Sequence, residues 1–218
     1  MSMIATRETA ATDADAPAAV QPSSLAHLLG PQAWARLHPA VRARITAQDE
    51  GRTWQVYRGV VDIRVTALGW LFVQLARLVG AGFAPARSGL TLTARVGHSP
   101  ALGGVVWDRV YDRAGRTVMT VRSCKILREG RLEEHMDRGL VLLLQLSERA
   151  GGLLFRSTGY VQRLWGLRLP IPAVLTPGRL DLTHHQADDG RFRVVLSLHH
   201  PWFGEIFRQD GLFEETSP

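Results

Sequence analysis

GVVWDRVYDRAGRTVMTVRSCKILREGRLEEHM, residues 104–136, reads as three strands cut by two tight turns. Apolar and polar residues alternate through 104–112 and 116–128, and the alternation resumes at Arg131. The interruptions, Asp112-Arg-Ala-Gly115 and Arg128-Glu-Gly130, are the glycine-bearing turns that a hairpin needs. Hairpins this short force antiparallel neighbours, because a parallel return needs a crossover of about a dozen residues. Downstream the pattern repeats over 131–147 with a break near Gly139, then 152–163, 178–187, 191–200 and 205–214. Gly151-Gly152 and Asp188-Asp-Gly190 supply further turns. Upstream it covers 90–97 and Thr53 to Val65, the latter with Tyr57, Val61, Ile63 and Val65 on one face. About nine sequential antiparallel strands must curl or close to protect their edges. The expected class is mainly β (α+β), a strongly curved antiparallel sheet or barrel.

Two regions break the alternation. Leu68, Leu71, Phe72, Leu75, Leu78 and Val79 recur at helical spacing, so 67–80 is expected to be an amphipathic helix packed against the sheet and ended by Gly80 and Gly82. Upstream, Ser23 or Ser24 can cap a short helix bearing Leu25, Leu28 and Leu29. A second piece starts at Pro31 and carries Trp34, Leu37, Val41 and Ile45. Leu167 to Pro177, with prolines at 170, 172 and 177, cannot be a central strand and is expected to cross the rim of the barrel. Residues 1–22, Ala-rich and without an apolar core, are expected to be a disordered leader, and 23–215 a single domain.

The chain has 218 residues and a net charge of +6. Of its 26 basic residues only Lys125 is lysine, and the arginines are scattered among acids, so the charge does not read as a nucleic-acid footprint. The lone Cys124 excludes an intramolecular disulfide and fits a reducing, cytoplasmic setting. The most apolar stretch, Gly69 to Phe83, is interrupted by Gln74 and Arg77 and is too short to span a bilayer, so no stable membrane insertion is expected. Glycine pairs such as Gly103-Gly104 precede strands rather than helices, so no phosphate-binding loop forms and no cofactor is expected.

Candidate chemistry comes from polar residues that share a strand face with apolar ones. Glu134 lies with Leu132 and Met136, Arg109 with Trp107 and Tyr111, and His184 with Leu180 and Leu182. A buried carboxylate needs a cation or a raised pKa, and Arg109 and Arg122 are the expected inward partners of Glu134. Glu134 and His184 are therefore the candidate acid–base residues. Trp107, Arg109, Tyr111, Arg122, Trp165 and Trp202 are the candidate ligand contacts, the last two near a cavity mouth. Two His pairs, 184–185 and 199–200, invite a metal reading, but a turn centred on Asp189 sets His184 opposite Val194. The pairs then lie roughly 15–20 Å apart along the strand, too far for shared ligation. No metal is expected.

The order of features also resembles a known family. Leu25 to Leu37, Tyr57-Arg-Gly59, Trp107-Asp-Arg109, Glu134, Leu169-Pro-Ile-Pro172 with Leu175 and Pro177, Asp189-Gly-Arg-Phe192, and Pro201-Trp-Phe-Gly204 followed by Gly211 are similar to the bacterial domain of unknown function family 4166, over roughly residues 24–214. The chain departs from that pattern in having Asp137 and Arg138 before Gly139, and histidines at 184–185 where an acid is common. Members occur alone, fused to saccharopine-dehydrogenase-like reductases, or joined to membrane proteins. That company implies small, lipophilic molecules or a reductase partner.

These readings converge on a cofactor-free barrel holding an apolar or lipid-like small molecule. A cofactor-independent isomerase or cyclase of the same shape, acting in natural-product biosynthesis, is the alternative. An interaction module for a reductase is the third.

Overall fold

The structure, a computed structural model, describes residues 24–50, 54–78, 80, 82–84 and 86–216. The expected leader lies outside the described residues, as does Ser23. Three helices come first: α1 (Ser24–Leu29), α2 (Pro31–Arg36) and α3 (Pro39–Glu50). The piece expected to run on from Pro31 is two helices, because Leu37 turns extended ahead of Pro39. Then follow β1 (Gln55–Val65), α4 (Ala67–Leu78), β2 (Arg87–Ser99), β3 (Gly104–Arg113), β4 (Arg116–Arg128) and β5 (Arg131–Met136). A single 3-10 turn, Asp137–Gly139, leads to β6 (Leu140–Arg149), β7 (Gly152–Leu164) and β8 (Leu167–Pro170). Another, Ala173–Leu175, precedes β9 (Arg179–Gln186), β10 (Phe192–His200) and β11 (Gly204–Thr216).

All pairings are antiparallel. The order runs β6-β5-β4-β3-β2-β1-β11-β10-β9-β7-β8, and β6 also pairs with β7, closing a ten-strand barrel with β8 outside it. The barrel exceeds the expected strand count by one, because 131–147 is two strands split at Gly139. The Pro-rich 167–177 region supplies the eleventh strand as a short edge at the rim. Closure removes the exposed strand edges of an open sheet.

The interior is apolar. Val61, Leu90, Val96, Leu153, Leu198 and Phe207 are essentially inaccessible. Leu37, just after α2, and Val41 and Ile45 of α3 pack into the same core and close one end. At the opposite end α4 lies across the opening, joined to β1 by Thr66. Its fit is close: a Cβ on Gly69 would sit 2.0 Å from the Ile206 carbonyl oxygen.

The wall is discontinuous at β7. Its first half, Leu153–Arg156, pairs with β9, while Val161–Leu164 pairs with β8. At the division Tyr160 accepts a backbone bond from Ile171 (2.8 Å), and its hydroxyl donates to the Gly178 carbonyl (2.8 Å).

Candidate functional site

A cavity of about 460 Å³ occupies the α4 end of the barrel. Its walls are Phe72, Ala76, Phe83, Met136, Leu140, Leu142, Ile171, Leu180, Leu182 and Leu196, and its polar lining is Arg109, Tyr111, Glu134, Gln162, Thr176 and Gln209. Leu75 and Leu175 line it while 50% and 68% exposed, which marks the mouth between α4 and the 173–175 turn.

The strand period places the polar floor. On β4, Val121, Ser123 and Lys125 share the inward face, and Lys125 pairs directly with Glu134 of β5. Glu134 Oε1 accepts hydrogen bonds from Ser123 Oγ (2.7 Å) and Lys125 Nζ (3.0 Å), with Arg109 Nη2 at 3.8 Å. Arg109 Nη2 also donates to Ser123 (2.7 Å), and the Tyr111 hydroxyl donates to Gln209 (3.0 Å). Lys125 Nζ lies 4.6 Å from the Trp107 ring centre, a cation–π contact.

Burial alone would raise the Glu134 pKa, but Lys125 and then Arg109 outweigh it, and the carboxyl is held at about 2. Burial also pulls the Lys125 ammonium below its usual range, with Glu134 opposing. Two polar valences stay open at this floor. The buried Arg109 Nε has no hydrogen-bond partner, and Glu134 Oε2 makes no hydrogen bond among the described residues. The Trp107 indole N–H, beside Lys125, is also buried without a partner.

The expected inward pairing of Glu134 with Arg109 is present. The pairing with Arg122 is not: Arg122 is exposed on the outer face, where it clamps Asp108 (2.5 and 2.8 Å). Residue 122 alternates with the inward Val121 and Ser123, so parity alone sends it outward. Lys125 takes the place assigned to Arg122. Its signal was available in the sequence, since it shares parity with Val121. Gln209 was equally legible, alternating with Phe207 and Phe213.

His184 points inward as expected but lines a separate, smaller pocket of about 50 Å³ toward α3, together with Trp107 and Arg109. Its Nε2 accepts from Arg44 Nε of α3 (3.2 Å), and Arg44 also bonds Gln186 and covers Phe192. Burial first, then Arg44 and His185, hold the His184 pKa at about 3, so the ring is neutral with its proton on Nδ1. His184 pairs with Val194, the register that the Asp189 turn predicts.

Trp165 is 96% and Trp202 72% exposed, both in turns at the α4 end rather than inside the cavity. Glu133, on the face opposite Glu134, is buried against Arg168 (2.5 and 3.2 Å) and His135 (2.8 Å), a contact that ties β8 to the barrel exterior. Among the described residues no helix is long and apolar enough to cross a membrane, and no group of three or more His, Cys, Asp or Glu is placed to hold a metal ion.

A search of curated proteins finds no match to the chain. A family model described as a domain of unknown function, DUF4166, matches residues 37–213, which span α3 and nearly all of the barrel. Of the segments that carried the resemblance, those from Tyr57-Arg-Gly59 to Gly211 fall within that match and Leu25 to Leu37 only touches its start, and the chain belongs to the DUF4166 family.

Proposed function

We propose that this barrel binds a single lipophilic small molecule, its apolar body in the cavity and a polar end at Arg109 and Glu134. The observation that carries this reading is an apolar cavity of about 460 Å³ closing on one small polar floor. Ligand pockets commonly span about 300–1,000 Å³ with a few convergent polar groups. The floor offers an unused acceptor, Glu134 Oε2, which no hydrogen bond of the described residues occupies, with Arg109 beside the carboxylate. A hydroxyl can donate to that oxygen, so a hydroxylated lipophile fits better than a hydrocarbon or an ester.

The isomerase or cyclase alternative asks Glu134 or His184 to exchange a proton near neutrality. Glu134, held at about 2, stays ionised; His184, held at about 3, stays neutral and has its acceptor nitrogen occupied by Arg44. The support therefore falls on binding rather than on acid–base turnover.

Native mass spectrometry of freshly purified protein is expected to show a co-purified lipophile. A fluorescent apolar dye should enter the cavity and be displaced by dodecanol about tenfold more tightly than by its methyl ether, the ether lacking the donor for Glu134. Glu134→Leu, which removes the acceptor that the hydroxyl uses, should erase that preference. Absence of both a co-purified molecule and dye binding would sink the reading.

A further inference from the structure

Three segments far apart in sequence form a closed ring around the cavity mouth: residues 67–78, 161–179 and 200–204. Contacts link them in turn. Phe72 of α4 lies 5.4 Å from the His200 ring, which is itself 4.9 Å from Phe203. Gly178 packs on the backbone of His199 and His200 so closely that a Cβ would meet the His199 oxygen at 2.2 Å. Arg138 donates to the Arg77 carbonyl at the end of α4 (3.2 Å), and Gln162 of β7 donates to the Arg138 carbonyl (2.6 Å).

This ring holds eleven of the sixteen large apolar side chains that are exposed among the described residues. They include Trp70 (61%), Leu71 (48%), Trp165, Val174 (60%), Trp202 and Phe203 (60%). α4 is apolar on both faces: Phe72 and Val73 pack inward, Trp70 and Leu71 face out, and Leu75 lies between them at the mouth. A helix that exposes apolar side chains on its outer face as well has an unburied apolar surface, and an exposed apolar patch of this kind marks an interaction surface.

The ring segments also contain four arginines and no acidic residue. Arg168 is paired with Glu133 of β5 and Arg179 with Asp181 of its own strand, whereas Arg77 and Arg163 make no ion pair with an acid among the described residues.

We propose that this end of the barrel docks reversibly on an anionic phospholipid bilayer. The tryptophans and Phe203 enter the interface, and Arg77 and Arg163 meet the head groups. Tryptophan prefers the membrane–water boundary, and a basic collar adds attraction to anionic lipid. A protein seated on the ring would close the mouth. A lipid surface continues it, because the acyl layer and the cavity are both apolar, and the mouth then opens where a lipophile dissolves. The docking goes beyond ligand binding and does not depend on what the cavity holds.

The full chain is tested by co-sedimentation with vesicles of phosphatidylcholine alone or with phosphatidylglycerol added, and by quenching of its tryptophan emission with brominated lipid. The expected result is salt-sensitive binding to the anionic vesicles with quenching, weakened about tenfold or more in W165S/W202S. R77Q/R163Q should lose the anionic preference alone. Trp165 and Trp202 are 96% and 72% exposed, the latter with one edge contact to His200, so both can be replaced with the core in place, and thermal unfolding verifies that. The quenching of the unaltered protein gives a readout independent of any variant. Failure to bind or be quenched by either vesicle overturns the proposal. So does a dimer in sedimentation equilibrium that W165S/W202S dissolves, or vesicle binding unchanged in that variant. Dye binding in the cavity that persists while vesicle binding fails would leave the ligand reading standing and remove only the docking.

Discussion

Glu134 and His184 both point into the barrel and both face cations, which favour the charged carboxylate and the neutral imidazole. Glu134 is buried with two cations, His184 with one guanidinium that already fills its acceptor site. Both pKa values are depressed on folding, so both groups stabilise the fold at high pH and lose that contribution as pH falls. For Glu134 the loss runs from its ordinary value of 4.5 down to about 2; for His184 it runs from 6.5 down to about 3. Between pH 6.5 and 5 the His184 contribution dominates of the two, and it amounts to about 2 kcal/mol. Urea unfolding at pH 7 and pH 5 is expected to show that loss in the parent chain. Most of it should vanish in His184→Gln, which keeps an acceptor for Arg44 but cannot take a proton. An equal pH dependence in the variant would show that His184 is not the group responsible.

α4 is held by two local devices. Thr66 Oγ1 accepts the Gly69 N–H (3.0 Å), capping the first turn, and Gly69 itself lets the helix approach the Ile206 carbonyl. Thr66→Ala should therefore lower stability by about 1 kcal/mol. Gly69→Ala, forcing the helix away from backbone that cannot yield cheaply, should cost about 1–3 kcal/mol. The two should differ in kinetics as well. Displacing α4 widens the mouth, so stopped-flow measurements should show faster dye entry and exit in Gly69→Ala, while Thr66→Ala leaves the rates nearly unchanged. Identical rates in Gly69→Ala and the parent would mean that α4 does not gate the cavity.

The closed barrel gives the molecule two unlike ends. The α3 end is sealed by Leu37, Val41 and Ile45. The α4 end carries the divided wall at β7, where β8 pairs outside the barrel and 171–178 crosses back. Hydrogen exchange should follow this asymmetry, slowest in the central pairs β1–β2 and β10–β11 and fastest from 164 to 178, where few buried contacts hold the backbone. A dye filling the cavity should slow exchange at 171–178 through its contact with Ile171 and Leu175. Uniform exchange across both ends, with or without dye, would contradict a mouth at this position.

Alternation and turn chemistry were enough to determine the antiparallel class, the strand boundaries to within a few residues, and the inward placement of Arg109, Glu134 and His184. These depend on a period of two and on hairpins, and both are local properties. The β9–β10 register was legible for the same reason, since a short turn fixes every pair above it. Arg122 faces outward because its position alternates with the inward Val121 and Ser123, and Lys125, which shares their parity, is the cation that reaches Glu134. Closure of β6 on β7, the division of β7 between β9 and β8, and the gathering of Trp70, Trp165 and Trp202 at one end involve residues up to 132 positions apart. No local pattern encodes those distances. The same is true of the charge of each buried group, because a pKa depends on partners that only the closed barrel brings together. The sequence could therefore say that an acid and an arginine face inward. Only the tertiary structure showed that they floor an apolar cavity with a mouth ringed by exposed aromatic side chains.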